Sequence, residues 1–171
     1  MALSGAYLDC VHTRLQLAPV ATDERLDRPG GLISVVLADD HELMRSRLRH
    51  LLEEDELIEV IADTNDLGEA VRSVLRSRPR VLVLDLSMSS GSSIDAIRRL
   101  RAQVPGTEIV VLKMEASAAF AGLALGAGAI AYVLKDTADS ELAEAVRLAA
   151  RGERFVSPRV GDLLGRELAS G

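Results

Sequence analysis

The sequence is poor in the residues on which several kinds of protein depend. Its 171 residues include one cysteine, Cys10, and no tryptophan, and aromatic residues make up only 2%. A single cysteine excludes an internal disulfide and a thiolate metal cluster. The shortage of aromatic rings removes the stacking platforms that bind single-stranded nucleic acid. Lysine is also scarce, because Lys113 and Lys135 stand against eighteen arginines, so each retained lysine is a clue.

The sequence also lacks the marks of export and of membrane insertion. Its N-terminus has no basic segment followed by an apolar core, so no signal peptide is predicted. The uncharged stretch 116–134 has the length of a membrane span, but its glycines and alanines indicate a weak helix, a turn and a short strand. The net charge of −6 and the 48% of hydrophobic residues are typical of a globular protein. We expect a cytoplasmic protein with no membrane segment.

Short apolar runs alternate with helical patterns along the chain. The runs are typical of strands covered on both faces in a parallel sheet, and they span 33–37, 57–62, 81–84, 109–112 and 129–134. Apolar residues at helical spacing fill the gaps, and the pattern over 117–126 is the weakest. Parallel strands need crossovers of this length. The sequence therefore predicts an α/β fold, a doubly wound five-stranded parallel sheet with helices on both faces.

Charged residues follow these runs at the points where the predicted strands end. Asp39 and Asp40 follow the first run, Asp85 the third, Lys113 the fourth and Lys135 the fifth. Ligands gather at this edge of an open parallel sheet, so we expect three carboxylates and two ammonium groups to converge there. Each residue alone has a simpler interpretation as a loop charge at a strand end, but the joint placement favours a site.

Such a cluster has a definite chemistry. Carboxylates packed together repel unless a cation lies among them. Mg²⁺ fits this site better than zinc does, because these strand ends offer carboxylate oxygens and neither cysteine nor histidine. A carboxylate beside such an ion can attack a phosphoryl group and form an acyl phosphate. Lys135 would then neutralise a phosphoryl oxygen.

At these segments the chain resembles the receiver domain of two-component response regulators, in the NarL/LuxR-type subgroup. The similarity is carried by VLADDH at 36–41, VLDLSM at 83–88, IVVLKM at 109–114 and AYVLKD at 131–136. It covers about residues 33–152, and it implies a flavodoxin-like receiver fold that is phosphorylated by a histidine kinase.

The resemblance also implies roles for single residues. Asp85 is the implied phosphoacceptor, and Lys135 is the implied phosphoryl contact. The implied Mg²⁺ ligands are Asp39, Asp40, Asp85 and the backbone carbonyl of Ser87. Tyr132 matches the family's rotating aromatic switch, and the alternative is a half-buried strand tyrosine without that role. His41 follows the acidic pair and is explained as a surface residue at a helix start.

The chain departs from the family pattern at Lys113, where the family has Thr or Ser. That small hydroxyl hydrogen-bonds a phosphoryl oxygen and moves toward it on activation, a step that lysine cannot reproduce. We hypothesise that Lys113 pairs with Asp85 or with its phosphoryl group and holds the site near one state. The alternative is a solvated lysine at the rim of the pocket.

Two further departures lie in the loop after Asp85 and in the weak helix. The loop lacks the family's proline, which predicts a looser loop, and Ser92 or Ser93 is expected to cap the following helix. The weak helix is apolar all round, so it is either deeply covered or docks a partner. We expect the 117–151 face to contact a second copy or another receiver.

The ends of the chain complete the predicted organisation. Residues 1–32 are expected to form a mobile N-terminal tail, 33–152 the receiver domain, and 153–171 a linker-like C-terminal helix that begins near Pro158. A helix-turn-helix module would need about 55 to 65 more residues, so we expect no effector domain and no direct nucleic-acid binding by this chain.

Two function classes remain open. The first is a signalling module that acts through protein contacts, with phosphorylation on Asp85 and no separate substrate turnover. The second is a truncated or atypical LuxR-type transcription regulator that works independently of phosphorylation. A Mg²⁺ hydrolase built on the same carboxylates is a third reading, without a substrate-pocket motif to support it.

Overall fold

The computed structural model describes residues 31–169, so the tail predicted over 1–32 lies almost wholly outside the described residues. Six strands and six α-helices follow one another in this range, and Lys135–Thr137 adds one turn of 3₁₀ helix. The elements are β1 (Ile33–Ala38), α1 (Glu42–Glu53), β2 (Ile58–Thr64), α2 (Leu67–Ser77), β3 (Val81–Asp85), α3 (Ser93–Gln103), β4 (Glu108–Lys113), α4 (Ala118–Ala127), β5 (Ala131–Leu134), α5 (Ala138–Ala150), β6 (Phe155–Val156) and α6 (Pro158–Ala169).

All the strands pair in parallel in a single sheet with the order β2-β1-β3-β4-β5-β6. The five predicted strands are present, which confirms the doubly wound parallel architecture. β6 adds a short sixth strand at the edge, where Phe155 and Val156 pair with Ala131 and Tyr132. Two residues are too few to show an alternating or continuous apolar pattern, so this strand could not be read from the sequence.

The sheet buries apolar side chains on both faces because successive residues of a strand point in opposite directions. Val36 and Leu82 belong to the cluster shared with α2, α3 and α4, whereas Val35 and Val81 belong to the cluster shared with α1 and α5. Every residue of β3 is buried. The near-continuous apolar runs in the sequence are therefore explained by coverage on both sides.

The weakest predicted helix forms over Ala118–Ala127. Its alanines at every third position face the protein, while Phe120 and Leu123 remain 42% and 51% exposed. The helix ends at Gly128, whose φ of 119° is costly for any other residue. A Cβ atom at Gly128 would also lie 2.4 Å from Cγ of Arg101 on α3.

The C-terminal helix α6 packs against α4 from the same chain. Val160 is fully buried in the apolar cluster that contains the α4 alanines, and Leu164 packs against that cluster. Part of the apolar surface of α4 is therefore covered within the chain, and the Phe120–Leu123 side is left open. Within residues 31–169, none of the helices combines the length and the apolar character needed to cross a bilayer.

Candidate functional site

The ends of β1 and β3 place two acidic side chains next to each other. The strands pair with Ala38 opposite Leu84, so Asp39 and Asp85 follow at the same edge. Both residues are completely buried, and the side chain of Asp40 is 19% exposed. Ligand atoms of Asp39, Asp40, His41 and Asp85 all lie within 4.8 Å of one another. The structure thus brings together the three carboxylates that the strand-end argument singled out.

Lys135 joins this cluster from the end of β5. It is 3% exposed, and its Nζ lies 2.6 Å from Oδ2 of Asp39 and 2.9 Å from Oδ2 of Asp85. Burial alone would lower the pKa of Lys135, but hydrogen bonds and attraction from Asp39 and Asp85 outweigh burial and raise its pKa. The ammonium therefore stays charged between the two carboxylates.

Backbone amides fix the orientation of each carboxylate. Oδ1 of Asp39 accepts from the amide of His41, 2.9 Å away, and Oδ1 of Asp85 accepts from the amide of Ser87 at the same distance. Oδ2 of Asp40 accepts from the amide of Ser89 at 3.0 Å. Burial works to raise the pKa of Asp40, but hydrogen bonds from Ser89 and the charges of His41 and Lys135 lower it overall.

The residues of this cluster fit a divalent cation. Three carboxylates face a single buried ammonium, which leaves an excess of negative charge. Oδ1 of Asp40 is buried, and no described residue makes a hydrogen bond to it. Carboxylate oxygens are the ligands that Mg²⁺ prefers. An ion bound there would supply the missing positive charge and could be ligated by Oδ1 of Asp40, which lies 3.0 Å from Nδ1 of His41.

A histidine does lie at these strand ends, so the expectation that none is offered there is wrong. Nδ1 of His41 lies 3.0 Å from Oδ1 of Asp40 and 3.5 Å from Oδ1 of Asp39. His41 directly precedes the first residue of α1, where its side chain makes no capping hydrogen bond to the helix. The side chain is 70% exposed, which confirms the expectation of a surface residue at a helix start. Its place directly after Asp40 nevertheless brings the ring beside the acidic pair.

Lys113 ends β4 beside the cluster but does not enter it. Its Nζ donates to Oγ of Ser87 at 2.9 Å and lies 4.5 Å from the centre of the Phe120 ring. We hypothesised that Lys113 pairs with Asp85 or with its phosphoryl group, and the structure does not show the direct pairing with Asp85. Lys135 already occupies the buried side of the Asp85 carboxylate, and Lys113 turns toward the loop and α4 instead.

Tyr132 is completely buried rather than half-buried. Its ring belongs to the apolar cluster of α2, α3 and α4, and its hydroxyl donates to the carbonyl of Glu115 at 3.5 Å. Burial, with a smaller contribution from the charge of Glu115, raises the pKa of Tyr132 to about 12. The phenol is therefore neutral and enclosed.

The serine-rich loop after Asp85 is fastened rather than loose. Oγ of Ser90 accepts from the amide of Leu67 at 2.8 Å, and Ser89 is tied to Asp40 as described above. Ser92 is the residue that caps α3, while Oγ of Ser93 donates to the carbonyl of Asp85 at 3.2 Å. Hydrogen bonds thus supply the order that the missing proline would have given.

A further set of contacts beside Lys135 has no counterpart in the sequence predictions. Oγ of Ser157 accepts from the amide of Leu134 at 2.9 Å and donates to Glu141 on α5. Arg159 on α6 pairs with Asp136 at 2.6 Å. The start of α6 is therefore attached to the end of β5. The serine directly before Pro158 was the only signal of this junction in the sequence.

Comparison with known proteins agrees with this geometry. A family model described as the response regulator receiver domain matches residues 35–147. The chain is 35% identical over 132 residues to a nitrate/nitrite response regulator homolog of Haemophilus influenzae, across 77% of this chain and 64% of that protein. It is 35% identical over 130 residues to the nitrate/nitrite response regulator NarP of Escherichia coli, across 76% of this chain and 60% of that protein. The match thus spans less than two thirds of the length of these relatives.

Solved structures show the same fold. A LuxR-family two-component response regulator from Aurantimonas superposes with a TM-score of 0.77 at 31% identity, covering 81% of this chain and 99% of that chain. The isolated receiver domain of RcsB from Salmonella enterica serovar Typhimurium, with the phosphomimetic BeF₃⁻, superposes with a TM-score of 0.71 at 28% identity. That match covers 78% of this chain and 99% of the RcsB domain.

Proposed function

The chain belongs to the response regulator receiver-domain family, a family of signalling modules, and on that basis we propose that it is a cytoplasmic phosphorelay receiver. In this proposal Asp85 accepts a phosphoryl group from a histidine kinase, and Lys135 contacts that group. The observation that carries the proposal is the convergence of Asp39 and Asp85 on one buried ammonium. An ordinary loop charge has no reason to be buried in such an arrangement.

The proposed transfer is a displacement at phosphorus. A carboxylate oxygen of Asp85 forms a new bond to phosphorus while the bond from phosphorus to the donor's imidazole nitrogen breaks. The electron pair of that bond stays with the imidazole, and the product on this chain is an acyl phosphate. Lys135, charged and held beside Oδ2 of Asp85, offsets negative charge on the phosphoryl oxygens.

The proposed metal site consists of the carboxylates of Asp39, Asp40 and Asp85 with the backbone carbonyl of Ser87. Mg²⁺, when bound, neutralises charge on phosphoryl oxygens. The residues themselves hold the carboxylates in place, because amides of His41 and Ser89 fix Asp39 and Asp40.

Access to Asp85 requires movement of the loop that follows it. Asp85 has no exposed surface, and the loop that follows it is tied to Lys113 through Ser87 and to Asp40 through Ser89. Phosphoryl transfer in this proposal therefore includes displacement of the loop. The same burial supports a second candidate, an atypical LuxR-type regulator that works without phosphorylation.

Kinase-dependent labelling separates the two candidates. We expect radiolabel to pass from a phosphorylated histidine kinase to the wild-type chain in the presence of Mg²⁺. Asp40→Asn is expected to raise the Mg²⁺ concentration needed for half-maximal labelling, because it removes a carboxylate ligand, and chelation of the metal is expected to abolish labelling. The second candidate would be supported if the wild-type chain takes up no label and binds a partner receiver equally well with and without the phosphorylated kinase.

A partner surface is proposed on the 117–151 face. Phe120 and Leu123 expose 42% and 51% of their surface on adjacent turns of α4, and exposed apolar patches of this kind mark contacts. RcsB, a structural relative, is described as forming dimers on DNA. We propose a second copy or another receiver as the occupant.

The surface proposal is tested by Phe120→Asp and Leu123→Asp. We expect either change to lower the mass in solution measured by light scattering, because a charge at the contact is buried at a cost. Ala102→Asp, at an exposed position on α3, is the matched control. An unchanged mass in all three variants would contradict the surface.

A further inference from the structure

We propose that Lys113 is a positioning residue that connects the acceptor carboxylate to the exposed face of α4 through the ring of Phe120. The inference rests on the proposed phosphorylation of Asp85. Three contacts form the connection: the amide of Ser87 donates to Oδ1 of Asp85 at 2.9 Å, Lys113 Nζ donates to Oγ of Ser87 at 2.9 Å, and the same Nζ lies 4.5 Å from the centre of the Phe120 ring.

The partners of Lys113 are ones that an anion can replace. Among residues 31–169 its ammonium makes no ion pair within 4.0 Å, and its two contacts are a hydroxyl and an aromatic ring. Hydrogen bonds between an ammonium and a charged oxygen are stronger than those to a neutral hydroxyl. A phosphoryl group on Asp85 therefore draws Lys113 toward itself and away from Phe120.

The position of Lys113 allows this movement. Lys113 lies at the end of β4, paired in register with Leu134, the residue before Lys135. Leu112, its neighbour in β4, is paired in register with Asp85. Its flexible four-carbon stem carries a point charge that can change partners without movement of the strand. The opening of the Ser87 loop that phosphoryl transfer requires also breaks its hydrogen bond to Ser87.

In this proposal, Phe120 rather than Tyr132 is the aromatic residue whose surroundings change when Asp85 is phosphorylated. Tyr132 is fully buried with its hydroxyl at Glu115, so a change of its environment requires the core to open. Phe120 is 42% exposed in the first turn of α4, where its amide donates to Oγ of Ser117 at 3.3 Å. Loss of the Lys113 contact therefore changes how this ring is presented on the α4 surface.

The chain contains no tryptophan, which allows a direct test by fluorescence. Phe120→Trp places a single indole at the contact, and indole binds cations at least as well as a phenyl ring does. We expect the emission of the Phe120→Trp protein to change when beryllofluoride and Mg²⁺ are added. The change is expected to be lost with Lys113→Met or Lys113→Thr and kept with Lys113→Arg, which retains the cation.

A matched probe and an occupancy measurement complete the test. Leu123→Trp places the indole one turn further along α4, at another exposed position. Its emission change on adding beryllofluoride and Mg²⁺ is expected to be the same with Lys113 and with Lys113→Met. Bound beryllofluoride is measured in each variant by fluorine NMR. Occupancy without an emission change in Phe120→Trp, or a change of the same size with Lys113→Met, would overturn this inference alone. Absence of both beryllofluoride binding and phosphorylation in the wild-type chain would overturn the proposed function, and the inference with it.

Discussion

The two lysines of this chain lie at the ends of neighbouring strands at one edge of the sheet, and they differ in burial and in the charge of the groups that they contact. Lys135 is 3% exposed and lies between the carboxylates of Asp39 and Asp85. Lys113 is half-buried and contacts the hydroxyl of Ser87 and the ring of Phe120. The same ammonium group is thus a fixed component of the acidic cluster in one case and a replaceable contact above it in the other.

The difference follows from charge compensation in a buried place. Removing Lys135 leaves two completely buried carboxylates facing each other without a cation, and such groups are costly when unpaired. Removing Lys113 leaves a hydroxyl and a ring that water can reach. Position in the sheet therefore decides whether a lysine holds the site together or responds to what occupies it.

The largest effect is expected from Lys135→Met. Breaking a buried ion pair by removing one partner costs about 3–5 kcal/mol, so the free energy of unfolding should fall by that order in urea titrations at neutral pH. Lys113→Met, which makes the same change on the neighbouring strand, is the control. A fall in the Lys135→Met protein no larger than in the control would contradict the assignment of Lys135 to the core of the site.

The second largest effect is expected from alkaline pH, which should lower the free energy of unfolding through Lys135 and Tyr132. The pKa of Lys135 is raised in the folded protein above its ordinary value of 10.5, and the pKa of Tyr132 is raised from 10.0 to about 12. Both groups hold their protons more tightly when folded, so their contribution is complete below pH 10 and is lost as pH rises toward and beyond 12. The free energy of unfolding should therefore decrease over this range.

Tyr132→Phe separates the two contributions. The variant lacks the buried phenol, so its decrease between pH 10 and 12 should be shallower than that of the wild-type chain. Absorbance of the phenolate should show a late-titrating tyrosine that is missing from the variant. Identical pH profiles for the two proteins would contradict the enclosed position of Tyr132.

The smallest effect on stability is expected from Lys113→Met. A partly exposed cation–π contact contributes about 0.5–1 kcal/mol, and a neutral hydrogen bond contributes about 1 kcal/mol. The free energy of unfolding should therefore fall by about 1–2 kcal/mol at most, well below the Lys135→Met value. A fall as large as that of Lys135→Met would show that Lys113 is also part of the buried cluster.

The sheet and the acidic cluster were predictable because both depend on short-range rules. Apolar runs covered on both faces fix the strands, and parallel pairing brings the residues after β1 and β3 to one edge. Asp39, Asp85 and Lys135 therefore meet as expected. This argument uses only where a strand ends, which the sequence records directly.

Side-chain direction was not predictable by the same rules. Lys113 was placed correctly at the edge, but whether it turned to Asp85 or to Phe120 depended on Lys135 already occupying the carboxylate. The depth of Tyr132 likewise depends on residues far along the chain that complete the core around it. His41 is an exposed residue at a helix start, as predicted, but the direction of its ring toward Asp40 could not be read from that position. Such choices are decided by tertiary neighbours rather than by local pattern.

The most direct test of the account is the intact mass of the chain after incubation with acetyl phosphate and Mg²⁺. The wild-type chain is predicted to gain the mass of one phosphoryl group. Asp136→Asn, which changes an exposed carboxylate beside the site, should gain it as well, and Asp85→Asn should not. A phosphoryl group on the Asp85→Asn protein, or none on the wild-type chain when Mg²⁺ is present, would contradict the assignment of Asp85 as the acceptor.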